Sequence, residues 1–193
     1  MQILGRLFGF KAKSRLTEGY AASYFLMSMR EAAANSWTAL DQFLESGDGS
    51  SLLDDDDRTV LEPHYLIACT SVEAQAIPIL FPSAQALRIR QWVIDLIRES
   101  AGEQAVAEFS AYDEAWQEAL QYLPYRDRAP RLPTPDQAVA ERMLREWLGK
   151  DSALAALAVA SSFPTGLWKI LKEGCVFIEG GPTAHLKETP ELG

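Results

Sequence analysis

The sequence predicts an all-α fold, an irregular bundle of about six helices around a central apolar pair. Two stretches carry almost no charge: Glu73 is the only charged side chain in residues 63–87, and residues 152–168 contain none. In a chain with 27 acidic and 18 basic residues, such stretches indicate elements enclosed by protein. We therefore predict that residues 63–77 and 152–163 are the central helices. Elsewhere, apolar residues recur at the spacings of three and four that are typical of amphipathic helices.

The first predicted helix covers residues 17–45 and carries one apolar stripe along its length. The stripe consists of Phe25, Met29, Ala33, Trp37, Leu40 and Leu44. Gly47 and Gly49 follow and end the helix. The four consecutive aspartates at residues 54–57 are interpreted as an acidic, solvated loop. The second helix then covers residues 63–77, and Pro78 ends it.

Four further helices are predicted after Pro82. The third covers residues 83–100 and the fourth residues 103–123, where apolar residues have the clearest helical period in the chain. A proline-rich connector leads to the fifth helix at residues 135–148, because Thr134 and Gln137 have the spacing of a capping box. The sixth covers residues 152–163, with a short continuation that ends at Gly174.

The ends of the chain are predicted to lie outside this bundle. Residues 1–16 form a basic amphipathic arm, residues 17–174 a single helical domain, and residues 175–193 a C-terminal extension or tail. Residues 175–178 are apolar and favour a β-strand, so the sequence allows at most one short strand there.

Composition limits the class of protein. A net charge of −9 argues against nucleic acid as a ligand, because binding a polyanion depends on basic side chains. Two cysteines cannot form a disulfide framework, and prolines and glycines interrupt both apolar stretches, which argues against membrane spans. We predict a soluble, cytoplasmic protein.

No motif for a metal, a cofactor or a nucleophile is present. The two histidines and two cysteines are scattered, and none of the spacings of zinc or di-iron sites occurs. His64 and Cys69 would point away from each other on one helix, since five residues correspond to about 500° of rotation. The glycines form no phosphate-binding loop. We therefore predict neither metal nor cofactor.

One buried carboxylate is predicted. An isolated ionised Glu73 inside the apolar second helix would be costly, so it needs a partner. Arg90 is the one charge within the apolar face of the third helix, and we predict that the two form an interior ion pair. The alternatives are that Glu73 lines a ligand pocket with a raised pKa, or that one of the two side chains reaches water.

Two segments are candidates for contact with a partner. The N-terminal arm interleaves aromatic and basic residues, and the connector after the fourth helix combines a tyrosine with arginines, residue types that are frequent in interface hot spots. The candidates are Phe8, Phe10, Lys11, Lys13, Tyr125, Arg126, Arg128 and Arg131. Alternatively, the arm packs against its own bundle, and the connector arginines meet the protein's own acids.

The leading functional interpretation is a non-enzymatic interaction protein, such as an adaptor, inhibitor, immunity-type or chaperone-like domain, that binds another protein. One alternative is a small-molecule-binding protein or enzyme with a pocket between helices around Glu73. Another is a peripheral membrane protein that uses the N-terminal arm on an anionic surface. A closed core around Glu73 would favour the first of these interpretations.

Overall fold

Helices dominate the fold, as the sequence predicts. The computed structural model describes residues 14–46, 52–125 and 132–182. Two short strands, β1 and β2, lie at the two ends of this part of the chain, and helices fill the rest. In order, the elements are β1 (Ser14–Thr17), α1 (Glu18–Glu45), α2 (Asp55–Ala74), α3 (Ile77–Leu80), α4 (Ser83–Tyr122), α5 (Pro135–Leu148), α6 (Ala153–Ser162), α7 (Leu167–Gly174) and β2 (Cys175–Ile178).

Helix α1 begins where the sequence predicts. The side chain of Thr17 caps it by accepting a hydrogen bond of 3.2 Å from the backbone N–H of Tyr20. The whole predicted apolar stripe of this helix is buried, from Phe25 to Leu44. This face provides one wall of the hydrophobic core.

Helix α2 begins eight residues earlier than predicted, at Asp55 rather than at residue 63. The interpretation of residues 54–57 as a loop is therefore wrong. Asp54 is the N-cap: it accepts a hydrogen bond of 2.9 Å from the N–H of Asp57, whose side chain accepts one of 3.1 Å from Asp54 in return. Carboxylates stabilise the positive end of the helix dipole, so the acidic run suits a helix start. The second half of α2 is enclosed, as predicted, with every residue from Ile67 to Ala74 buried.

Helix α4 consists of two helices that meet at Gly102, which has the non-helical angles φ 82° and ψ −178°. We call residues 83–101 helix α4a and residues 103–122 helix α4b. Arg90 and Asp113 form an ion pair of 2.6 Å across the two halves. In a straight helix, these residues would lie about 35 Å apart. Helices α4a and α4b therefore fold back on each other, and the predicted division into two helices is confirmed.

Helix α6 differs from the expectation for the second apolar stretch. Ala155, Ala156 and Val159 are buried, but Leu154 is 67% exposed and Leu157 is also exposed. This helix therefore packs one face on the bundle and is not enclosed on all sides. The physical reason is that the absence of charge permits burial on every side but does not require it, and the neighbouring helices cover only the face of Ala155, Ala156 and Val159.

One stretch of the described residues, Ala153–Gly174, is long and apolar enough to cross a membrane, with a mean hydropathy of 1.4. One third of it is buried in the protein. The chain leaves the helical conformation at residues 163–166 within this stretch, and α6 and α7 are separate helices.

The two strands form a parallel pair, with Ser14 opposite Cys175 and Thr17 opposite Ile178. The strand expected at residues 175–178 is present as β2, but its partner β1 was not predicted, because residues 14–17 have no strand signal of their own. The backbone N–H of Gly19 donates a hydrogen bond of 3.0 Å to the carbonyl of Gly180. A Cβ atom on Gly19 would lie 2.6 Å from the carbonyl carbon of Gly181, so the close approach requires glycine.

Candidate functional site

Glu73 lies in the interior with 3% of its surface exposed. Its two carboxylate oxygens accept backbone hydrogen bonds of 2.9 Å from Gly166 and 3.0 Å from Trp168. Burial raises the pKa of this carboxyl, and the backbone donors act in the opposite direction. Glu73 thus satisfies N–H groups at the start of α7, which no residue within that helix can satisfy.

Arg90 has a different partner from the one predicted. Its guanidinium forms the ion pair with Asp113, and it lies over the ring of Phe109 at 5.6 Å from the centroid. The predicted pair of Glu73 with Arg90 is therefore wrong. Since α4a and α4b are antiparallel neighbours, the arginine faces its own hairpin rather than α2.

A chain of amides extends this ion pair to helix α2. Gln75 donates a hydrogen bond of 2.5 Å to Asp113 and accepts one of 2.9 Å from Gln117. Asp113 therefore receives hydrogen bonds from two sides, and Gln75 connects α2 to α4b. The sequence analysis did not predict the roles of Asp113 and Gln75, because nothing in the pattern of a helix indicates that a particular acid or amide is buried.

A second buried carboxylate, Glu18, holds α1 against α4a. Arg88 donates two hydrogen bonds of 2.8 Å to its two oxygens, and Gln85 donates a third of 3.1 Å. The hydrogen bonds from Arg88 hold the pKa of Glu18 below its usual value. This group was also missed, since Glu18 occupies the first turn of a helix, where acids are common for other reasons.

A third buried carboxylate, Glu108, forms a network with aromatic side chains of three helices. Nδ1 of His64 lies 3.1 Å from both of its oxygens, and the hydroxyl of Tyr112 donates a hydrogen bond of 2.8 Å to Oε1. Trp147 donates to that hydroxyl at 3.1 Å and stacks on the imidazole with centroids 3.4 Å apart. Burial raises the pKa of Glu108, and the hydrogen bond from His64 opposes it.

This network resembles the pairing of a carboxylate with a general base, but all its polar atoms named above have internal partners. Cys69, elsewhere on α2, is fully buried, and burial raises its pKa, which disfavours the thiolate. The arrangement joins α2, α4b and α5 and supplies no activated nucleophile.

A groove of about 230 Å³ lies between α4b and α5. Small side chains form part of its walls, among them Ala115, Ala119 and Ala138. Acidic and basic side chains line it as well: Glu114, Glu118, Glu141, Arg142 and Arg145. Tyr122, Leu132 and Pro133 complete the lining.

The arginines of this groove are engaged with neighbouring acids. Arg142 lies 3.2 Å from Glu146, and Arg145 lies 3.7 Å from Asp151. Within residues 14–46, 52–125 and 132–182, the three glutamates of the groove form no ion pair. Burial and the nearby Asp151 raise the pKa of Glu141, and Arg145 acts in the opposite direction.

Most of the predicted contact residues lie outside the described part of the chain. These residues are Phe8, Phe10, Lys11, Lys13, Arg126, Arg128 and Arg131. Tyr125 ends a 3-10 turn, Leu123–Tyr125, that follows α4b directly. A role of both segments in binding a partner stays a prediction.

Comparison with protein-family models, with curated proteins and with solved structures gives no match. The described residues also contain no group of three or more histidine, cysteine, aspartate or glutamate side chains placed to hold a metal ion. The chemistry that the arrangement supports follows from its own geometry. The buried carboxylates Glu18, Glu73 and Glu108 have internal partners, whereas the glutamates of the groove form no ion pair within the described part of the chain.

Proposed function

We propose that this chain is a soluble, cytoplasmic interaction protein without enzymatic activity, which acts through protein–protein contacts. The observation that carries the proposal is the burial and the hydrogen bonding of Glu73. Both of its oxygens accept backbone hydrogen bonds from the segment that begins α7, and the side chain is almost fully buried. A pocket or a general acid at this position would require one of these hydrogen bonds to be broken.

The other interior carboxylates favour the same interpretation. Glu18 is held by Arg88 and Gln85, and Glu108 by His64 and Tyr112. Each connects two or more helices and so specifies how they pack. Charged groups of this kind are more consistent with a fixed scaffold than with a reactive site.

The surface supplies features that a binding protein needs. The groove between α4b and α5 opens to solvent, and Tyr122 on its wall is 52% exposed. Tyrosine is one of the residue types that are enriched in interface hot spots. The alternative of a peripheral membrane protein depends on residues 1–13, which lie outside the described part of the chain.

Affinity capture followed by mass spectrometry tests the proposal. The full chain is used as bait in a lysate of its source cells, next to a variant with Glu114→Gln, Glu118→Gln and Glu141→Gln. The matched control carries Glu31→Gln, Glu62→Gln and Glu173→Gln, which remove the same charge from three exposed positions outside the groove.

We expect the full chain and the matched control to recover the same protein in comparable amounts. A protein that the wild type and the matched control recover, but the groove variant does not, would bind at the groove. Recovery of no specific protein, together with a metabolite that copurifies with the chain, would contradict the proposal in favour of a small-molecule-binding protein.

A further inference from the structure

We propose that the groove between α4b and α5 binds a lysine- or arginine-rich amphipathic segment of a partner protein. This inference rests on the proposed function, because it names the chemistry of the partner for one particular surface. Its occupant is inferred from three properties of the groove: its size, its charge and the spacing of its carboxylates.

The size of the groove favours side chains over a small-molecule ligand. Its volume of about 230 Å³ is below the roughly 300–1,000 Å³ of typical small-molecule pockets. Alanines at positions 115, 119 and 138 make part of its lining apolar and leave space between the two helices. A few side chains of a docked segment would fill such a channel, while the rest of the segment lies on the surface.

The charge of the groove favours a cationic occupant. Arg142 and Arg145 are paired with acids, and Arg145 also offsets part of the charge of Glu141. Within the described part of the chain, Glu114 and Glu118 form no ion pair. Glu114 and Glu118 are four residues apart on α4b, where like charges repel each other and destabilise a helix. A cation bound between them would relieve this repulsion, whereas a phosphate, a nucleic acid or an anionic membrane would increase it.

The spacing of the carboxylates favours several cationic groups over a single metal ion as the occupant. No three acidic side chains in residues 14–46, 52–125 and 132–182 are placed to share one ion. Several separate cations along one segment satisfy such a groove better than one divalent ion. Tyr122 adds an exposed aromatic ring at its wall, against which an apolar side chain or an arginine of the segment packs.

A binding measurement with the full chain tests this assignment. The probe is a fluorescein-labelled peptide of leucine and lysine in an amphipathic helical pattern, and binding is followed by fluorescence anisotropy. We expect replacement of Glu114, Glu118 and Glu141 by glutamine to raise the Kd about tenfold, because three ion pairs are lost. The matched control with Glu31→Gln, Glu62→Gln and Glu173→Gln should change the Kd less than about twofold.

The apolar part of the site has its own test. We expect Tyr122→Ala to weaken binding of the same peptide about fivefold, since an exposed aromatic contact is lost. Met27→Ala, which truncates another exposed apolar side chain on α1, should leave the Kd unchanged. A peptide of leucine and glutamate should not bind.

Three results would overturn the assignment. Equal affinity of the wild-type chain and the groove variant would show that the peptide is attracted by net charge alone. Binding that tightens about tenfold after Arg6→Gln, Lys11→Gln and Lys13→Gln would identify the chain's own N-terminal arm as the occupant. A dimer in analytical ultracentrifugation that the groove variant abolishes would identify a second copy of the chain.

The proposed function and the assignment of the groove can be tested separately. A partner that is captured equally by the wild-type chain and the groove variant leaves the proposed function intact and overturns only the assignment of the groove.

Discussion

At the scale of single residues, Glu73 shows how one carboxylate fixes the path of a distant segment. Burying a carboxylate without partners is unfavourable, and hydrogen bonds to charged groups are stronger than neutral ones. Glu73 therefore stabilises the local geometry that brings two N–H groups to it, the start of α7 at residues 166–168. The α7 side chain Trp168 is thereby held in the core, where it stacks on Phe25 with centroids 4.5 Å apart.

Replacing this carboxylate by its amide should destabilise the protein. We expect Glu73→Gln to lower the free energy of unfolding by about 1–3 kcal/mol, because the amide nitrogen places a donor opposite a backbone donor. Urea denaturation followed by circular dichroism measures the change. Glu62→Gln, at an exposed position of the same helix, should stay within about 0.5 kcal/mol of the wild type. Equal effects of the two substitutions would contradict this role of Glu73.

The pH dependence of stability should distinguish Glu73 from Glu18. Burial raises the pKa of Glu73, so its contribution is fully present below about 4.5, its unfolded value, and is lost as pH rises through the folded pKa. Arg88 lowers the pKa of Glu18, so the contribution of Glu18 is present above about 4.5 and is lost as pH falls through the folded pKa.

The difference in unfolding free energy between the wild type and a variant should therefore change with pH in opposite directions for Glu73→Gln and Glu18→Gln. Relative to Glu73→Gln, the wild type should lose stability as pH rises above about 4.5. Relative to Glu18→Gln, it should gain stability as pH rises toward that value from below. The same trend in both comparisons would contradict the assigned causes of the pKa shifts.

The burial of Glu73 follows from its sequence context, but its partner does not. A single charge in an otherwise uncharged helix has to be enclosed or to reach water, and this limited choice makes the burial predictable. The donors are backbone N–H groups 93 and 95 residues later in the chain, and every residue has such a group. Arg90 was therefore a reasonable but wrong partner.

At the scale of elements, the helix ends that carry a capping box or a C-terminal glycine were predictable at α5 but not at α2, which covers Asp55–Ala74 instead of residues 63–77. Thr134 and Gln137 form the predicted capping box, and Gly149 ends α5 in the left-handed conformation. Asp54 and Asp57 form a capping box at the start of α2 as well. It was not predicted, because four consecutive acids are also typical of a solvated loop. Pro63 added to the error, since proline usually begins a helix and here lies inside one.

The turn within α4 depends on the backbone freedom of Gly102. Its φ of 82° and ψ of −178° lie in a region that is essentially restricted to glycine. We expect Gly102→Ala to lower the free energy of unfolding by about 1–3 kcal/mol through backbone strain alone, because no atom lies within 4 Å of the new Cβ position. Chemical denaturation measures this loss.

The adjacent position supplies the control for this variant. Glu103→Ala removes an exposed ion pair of 2.7 Å with Arg98 and should cost less than about 1 kcal/mol. A Gly102→Ala variant as stable as the wild type would mean that α4a and α4b form a hairpin without the glycine.

At the scale of the whole molecule, the order of packing was the least predictable property. Both uncharged stretches suggest enclosure, but only the second half of α2, from Ile67 to Ala74, has it. The absence of charge shows that a segment tolerates burial. Whether the segment is buried depends on how the neighbouring helices pack against it. The pairing of β1 with β2 was equally hidden, because each strand has four residues and neither would form alone. Likewise, the groove arises between two helices whose individual patterns give no sign of it.

The strand pair should matter for the stability of the whole fold. Phe177 on β2 is 9% exposed and meets Phe81 edge-on at 5.0 Å. We expect Phe177→Ala to lower the free energy of unfolding by about 3–5 kcal/mol. The adjacent Val176 is 46% exposed, and Val176→Ala should cost less than about 1 kcal/mol. Similar losses in the two variants, measured by urea denaturation, would contradict the packing of β2 against the helices.

The parallel strands also have a consequence for biosynthesis. Thr17 donates a hydrogen bond to the carbonyl of Gly181, which lies 164 residues later in the chain. During translation, the first strand leaves the ribosome long before its partner exists, whereas the helical hairpin of α4 contains both of its halves much sooner. The contacts around Gly19 can therefore form only after residues 180 and 181 have been synthesised, when both halves of the α4 hairpin are already present.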